Sequence, residues 1–261
     1  MPDLLKVSRS GPLAAVTINR PDSHNALNAD LIEELTRRFE EISDDDRVRV
    51  VVLAGEGRSF CAGADIGYMR ETAGLSYEEN LEDARRLAMM YWTIDECPKP
   101  VVAKVQGAAM GGGAGLLAVA DVAVADSEAR FAFSEIRLGI APATISPFVV
   151  RKIGVSHARS LFLTGERFYA KRAWEIGLVH RLVSSDGLDE AVDEKARELL
   201  EGGPVAQATL KGLLRRLETT EPMEAPGLTA RVISELRTGE EGQEGLAAFL
   251  EKRDPSWRRA R

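Results

Sequence analysis

Three short stretches of this 261-residue chain hold residue types that could do chemistry. The first is "FAFSEIRLGIAPATISPFVV", residues 131–150, where Glu135 sits among Phe131, Phe133, Ile136, Leu138 and Ile140. A carboxylate in such company is paired, caps a helix start, or is tuned for proton transfer. Ser134 and Glu135 before an apolar run also fit a plain helix start. The second is "VQGAAMGGGAGLLAVADVAVAD", residues 105–126, with five glycines between Gly107 and Gly115. It follows an apolar strand and opens a helix, whose unpaired N–H groups and positive dipole end suit an oxyanion or a phosphate. The third is "GRSFCAGADIGYM", residues 57–69, a glycine-punctuated loop directly after the strand "VVVLAG". It reads either as a tight strand-to-helix turn or as a loop aiming backbone N–H groups into a cleft. Two such loops could together form an oxyanion hole.

A dinucleotide site competes for the glycines. Gly113, Gly115 and Ala118 spell G-x-G-x-x-A, and Glu135 follows about 20 residues on, as a ribose acid would. The fit is poor. The strand "VVAKV" ends several residues before Gly113, the next strand ends near Asp126, and the motif lies mid-chain.

The elements that must position these loops alternate. "LAAVTINRP" reads as a strand ended by Pro21. "NADLIEELTRRFEEISDD" reads as an amphipathic helix capped by Asn28, with Leu31, Ile32, Leu35, Phe39 and Ile42 on one face. "VRVVVLAG", "KPVVAKVQG" and "DVAVAD" read as buried strands and "GAGLLAVA" as a short helix. "YEENLEDARRLAMMYWTIDEC" reads as a helix, with Ser76 and Glu79 spaced as a capping box. After about residue 145 the pattern turns helical, through "SPFVVRKIG", "SHARSLFLTG" and "AKRAWEIG", broken by a short strand "LVHRLV". Helices run on from about 187 to 253. An α/β core followed by a helical C-terminal part is the natural reading.

Composition narrows the classes. The net charge is -7 and the isoelectric point about 5.2, which argues against nucleic acid or anionic membrane as partner. Two cysteines, Cys61 and Cys97, form neither a disulfide framework nor a metal cluster and fit a reducing compartment. No secretory signal or membrane-spanning run is read, so a cytoplasmic location is expected.

Five ordered motifs, "RPDSHNALN", "SFCAGADI", "GAAMGGGAGLLAVADVAVA", "FSEIRLGIAP" and "GLAAFLEKRDP", carry a resemblance over nearly the whole chain. It resembles the enoyl-CoA hydratase/isomerase (crotonase) superfamily, most closely its bacterial branch that hydrates 3-methylglutaconyl-CoA and similar thioesters, as in leucine breakdown. The resemblance implies a crotonase-like spiral of ββα units over residues 1–195 and a helical trimerisation region over 196–261, assembled as a trimer or a dimer of trimers. It implies an acyl-CoA substrate, with no metal and no cofactor beyond the coenzyme A of the substrate. The oxyanion hole would be the N–H groups of Ala64 and Gly112, with Glu135 the catalytic acid/base. Ala62, Asp65, Ile66, Gly111, Gly115 and Ser134 would line the substrate path. His24, Ala26 and Leu27 would lie in a second CoA-proximal loop, and Phe249 and Lys252 would touch the CoA tail, often of a neighbouring subunit. Gly111 and Gly113 would leave room for the thioester.

One position departs from the pattern. Hydratases of this superfamily hold one water between two glutamates. The second corresponds to Glu135, with Ser134 in place of the usual proline; the first falls on Gly115, which has no side chain. Glu135 could shuttle a proton alone, as in enoyl-CoA isomerases, or hydrate alone. Another acid could fill the gap, from Glu79, Glu82 or Asp83, with Tyr68 positioning water, although each of these acids also reads as a solvated helix face. An acid-depleted, non-catalytic acyl-CoA-binding protein is a further alternative. A glutaconyl substrate would carry a distal carboxylate, for which Arg70, Arg85 and Arg137 are candidates. His157 and His180 read as surface or helix-end residues without partners.

Overall fold

The computed structural model describes residues 3–259. An antiparallel pair, β1 (Leu5–Ser10) and β2 (Leu13–Ile18), opens the chain. Helix α1 (Ala29–Asp44) starts at Asn28, whose side chain accepts from the Leu31 N–H, and it buries all five residues of the expected apolar face. Strand β3 (Val50–Gly55) is buried along its whole length, as a parallel strand covered on both faces should be. Helices α2 (Ile66–Thr72) and α3 (Tyr77–Glu96) follow, the latter with its Ser76–Glu79 capping box formed.

Next comes a repeat of two strands and a helix: β4 (Val101–Val105), β5 (Ala108–Met110) and α4 (Gly112–Val119); then β6 (Val122–Asp126), β7 (Arg130–Ala132) and α5 (Ser146–Thr164). Each unit gives its first strand to one sheet and its second to another. The larger sheet is completed by β9 (Arg181–Val183), in the order β1-β2-β3-β4-β6-β9, parallel beyond β2. The smaller, β5-β7-β8, is completed by β8 (Arg167–Tyr169), which α6 (Ala170–Glu175) follows. Strand β1 and the three-residue strands β5, β7 and β8 were not anticipated from the sequence. Gly154, at φ 76°, interrupts α5 between the two segments read as separate helices.

One face of the larger sheet packs Val51, Leu53, Val101 and Ala103 against α1, α3 and α4 in the main core. The other packs Val50, Val52, Val102 and Val124 against α7 (Leu188–Leu200), which runs across the expected boundary at 195/196. Burying each of these valine and leucine side chains contributes about 1.5–3 kcal/mol. Phe131 stacks on Phe168 at 5.6 Å and Phe133 meets Phe162 edge-on at 5.0 Å, so the chain entering Glu135 rests on an aromatic base. Helices α8 (Pro204–Leu217), α9 (Ala225–Thr238) and α10 (Glu240–Leu250) pack on one another and leave Leu210, Leu214, Leu246, Phe249 and Leu250 exposed.

Candidate active site

The loop after β3 is fastened on both sides. On one, Phe60 N–H donates to the Gln106 carbonyl, Cys61 N–H to Ala108, and Met110 N–H to Cys61. On the other, Leu27 N–H donates to Gly63, Asp65 N–H to Leu27, and Ala62 N–H to His24. Ala64 lies between bonded neighbours, yet its own N–H has no partner among the described residues. Gly112 opens α4, and its N–H is likewise without a partner among them, while Tyr91 donates its hydroxyl to the Gly112 carbonyl at 2.9 Å. The two free amides belong to touching segments: a β-carbon on Gly63 would stand 3.9 Å from the Gly112 nitrogen.

The glycines serve that contact in a way the sequence reading did not foresee. A β-carbon on Gly113 would meet the Cys61 carbonyl oxygen at 2.1 Å, so this glycine makes room for backbone, not for a thioester. At Gly111, φ is 46° and a β-carbon would meet Glu135 Oε1 at 2.8 Å, so this one makes room for the carboxylate.

Glu135 begins a 3-10 turn over Glu135–Leu138, and the Ser134 side chain caps nothing there. Its Oε2 is shut off from solvent with no hydrogen-bond partner among the described residues. Burial pushes the carboxyl above the ordinary range. An unsatisfied buried carboxylate oxygen is costly to keep, and a carboxyl raised by burial in a cleft is the kind of group that acid–base chemistry uses.

These groups share a cavity of about 430 Å³. Leu27, Ala62, Ala64, Gly111, Gly112, Ser134 and Glu135, all expected at the site, line it. Others do not. Gly115 is buried in α4 behind the wall, because Ile145 and Tyr91 fill the space beside it. Asp65 caps α2 through the Gly67 N–H at 2.7 Å and pairs with Arg20 at 2.8 Å, while Ile66 is exposed. Ala26 is buried outside the cavity, and the His24 ring is 3.1 Å from the Ser59 hydroxyl. Phe249 and Lys252 lie exposed at the end of α10, away from the cavity of their own chain. Arg70, Arg85 and Arg137 are exposed outside it.

The acids of α3 separate. Glu79 serves the capping box, and Glu82 is exposed beside Arg85. Asp83 corrects the expectation of a solvated face: it is buried, lines the cavity and accepts a hydrogen bond from Tyr68. His180 also departs from its reading, since its Nδ1 accepts from the Ala123 N–H at 2.9 Å. Sequence reasoning missed Tyr91 and Ile145 in the wall. It also missed Asn25, which is wholly buried and ties its loop to the Glu56 and Ser59 carbonyls at 2.9 and 2.7 Å.

The sequence profile described as enoyl-CoA hydratase/isomerase matches residues 8–260. The chain belongs to the enoyl-CoA hydratase/isomerase family. Within that family it is similar to the 2,3-dehydroadipyl-CoA hydratase of Escherichia coli K12, at 33% identity over 97% of this chain and 98% of that protein. An enoyl-CoA hydratase from Shewanella pealeana superposes with a TM-score of 0.94 at 38% identity, covering 98% of this chain and 96% of that one. Pseudomonas aeruginosa AtuE superposes with a TM-score of 0.94 at 37% identity, covering 98% and 100%. The two-sheet core with its C-terminal helices is thus the crotonase fold. No described helix is long and apolar enough to cross a membrane.

Proposed function

We propose that the chain is an enoyl-CoA hydratase, adding water across the 2,3 double bond of an acyl-CoA thioester. The observation that carries this reading is the shared cavity: the amides of Ala64 and Gly112, unpartnered among the described residues, and the carboxyl group of Glu135 belong to residues that line it together. The thioester carbonyl accepts from both amides. Glu135 takes a proton from water as the water oxygen bonds to the β-carbon. The double-bond electrons move onto the thioester oxygen, and Glu135 returns its proton to the α-carbon. Nothing is oxidised or reduced, so the step needs no redox cofactor. Each oxyanion donor is worth about 3–4 kcal/mol in such a transition state.

The acyl chain we propose is apolar. The cavity's described lining holds two carboxylates, Asp83 and Glu135, and no lysine, arginine or histidine. A distal carboxylate would enter such a site unpaired, at a cost of several kcal/mol, which weighs against the glutaconyl-type thioester expected from the closest resemblance. The relatives' names include both short-chain-enoyl-CoA and 2,3-dehydroadipyl-CoA hydratases, so the family spans both kinds of chain. We further propose that the helical region from residue 196 mediates self-association as a trimer or dimer of trimers, supported by its exposed Leu210, Leu214, Phe249 and Leu250. The two buried free cysteines fit a cytoplasmic protein.

One observation favours a second reading, a 3-enoyl-CoA isomerase: the space beside Gly115 is filled, leaving Glu135 without the family's other glutamate. Absorbance of the conjugated thioester separates the two. Crotonyl-CoA loses the band if it is hydrated, and a 3-enoyl-CoA gains it if it is isomerised. Crotonyl-CoA should be hydrated with a higher kcat/KM than 3-methylglutaconyl-CoA. Tight binding of CoA with no turnover of either class would leave a binding protein.

A further inference from the structure

The cavity holds a polar pair that the mechanism above does not use. Tyr68 projects from α2, three residues beyond the Asp65 cap, so its position is tied to the Ala64 loop. Its hydroxyl donates to Asp83 Oδ2 at 2.5 Å, and Asp83 Oδ1 accepts from Arg86 at 3.0 Å. Both residues line the cavity, and both are 9% exposed. The phenolic proton is therefore committed to Asp83, and what the Tyr68 oxygen offers the cavity is its lone pairs. Burial and the neighbouring carboxylate push the Tyr68 phenol further from ionising, so it keeps that proton. Tyr91 is a different case, since it is fully buried and its hydroxyl is spent on the Gly112 carbonyl.

A water that attacks carbon needs two acceptors: one to take a proton, one to hold the other O–H so that a lone pair faces the β-carbon. Glu135 is one. No side chain at 115 supplies the other, and Ile145 and Tyr91 leave no space for one. We propose that the Tyr68 oxygen, its proton fixed on Asp83, is the second acceptor that holds the attacking water, which makes Asp83 a positioning residue acting through Tyr68. The inference rests on the hydratase reading. In the step, Tyr68 neither gains nor loses a proton: water keeps the hydrogen it donates to Tyr68, gives the other to Glu135, and bonds to the β-carbon.

The test is steady-state hydration of crotonyl-CoA by wild type, Y68F, D83A, D83N and the Y68F/D83A double variant, each checked for a cooperative thermal transition. Y68F and D83A should lower kcat about 10–100-fold, the scale of a misoriented reactant, with KM within about threefold. The double variant should be no worse than Y68F alone, because Asp83 acts only through Tyr68. D83N should recover to within about fivefold of wild type, since its amide oxygen can still accept the phenolic proton. If Y68F does not fold, D83A and D83N, which keep the ring, carry the same comparison. A folded Y68F with wild-type kcat overturns the role of Tyr68. Losses that multiply in the double variant also overturn it. A wild-type protein that hydrates no enoyl-CoA overturns the hydratase reading and this inference with it.

Discussion

Gly115 packs so closely against Ile145 that a β-carbon on the glycine would stand 2.3 Å from the Ile145 Cγ2. The Tyr91 ring is 3.0 Å from the same point. The position is occupied space and not an opening awaiting an acid. Gly115→Ala should therefore cost about 1–3 kcal/mol of stability through overpacking, read as a lowered Tm. Gly115→Glu should destabilise further and slow hydration. A Gly115→Glu protein with unchanged Tm and faster hydration would show that the site can accept a second glutamate after all.

At Gly111 the crowding partner is Glu135 itself, with Oε1 2.8 Å from where a β-carbon would sit. A carboxylate at the end of a flexible side chain can move aside, so the effect of Gly111→Ala falls on activity. A fall of at least about tenfold in kcat/KM is expected, on the scale of a displaced catalytic group. The positive φ of 46° adds a stability cost of about 1–3 kcal/mol. Kinetics and thermal denaturation of one preparation separate the two, and wild-type kcat/KM would mean that the Glu135 carboxylate is not held against this glycine.

Glu135 also sets a pH dependence with a definite sign. Burial raises its carboxyl above the ordinary 4.5. In the proposed role of base it must be ionised, so kcat/KM should fall as pH drops through that raised value. For stability the direction is opposite to that of a paired acid. The native state binds this proton more tightly than the unfolded chain, so ionised Glu135 is a burden that grows as pH rises from about 4.5 through the native value. Glu135→Gln should then have a higher Tm than wild type at pH 8, and the gap should close near pH 4. Equal Tm at both pH values would mean that the carboxyl is not perturbed.

Much of this architecture is readable in residue spacing. Leu31, Ile32, Leu35, Phe39 and Ile42 trace a helix face, Ser76 and Glu79 close a capping box, and continuous apolar runs give β3, β4 and β6. Short-range pattern fails where the partner is distant. Strands β5, β7 and β8 are three residues each, too short for any period, and exist because Ala109 pairs with Phe131 and Phe131 with Phe168. The amide-bearing loops were legible from glycine placement, but what each glycine makes room for was not. Gly113 answers to Cys61 and Gly115 to Ile145, contacts that only the fold creates. Asp83 did leave a signal: it shares its helix face with Leu87, Met90, Tyr91 and Ile94 at helical spacing. The surrounding Glu79, Glu82, Arg85 and Arg86 masked it.

In the proposed hydration, Glu135 moves the proton while the Ala64 and Gly112 amides hold the thioester oxygen. Hydration of crotonyl-CoA by Glu135→Gln, followed at the conjugated thioester band, tests the role of Glu135 most directly. The side chain keeps its size but loses its charge and its ability to take a proton. Turnover should fall about 10²–10⁴-fold, the scale of a positioned acid–base group, in a protein that still folds cooperatively. Turnover within a few fold of wild type would mean that Glu135 does not move the proton.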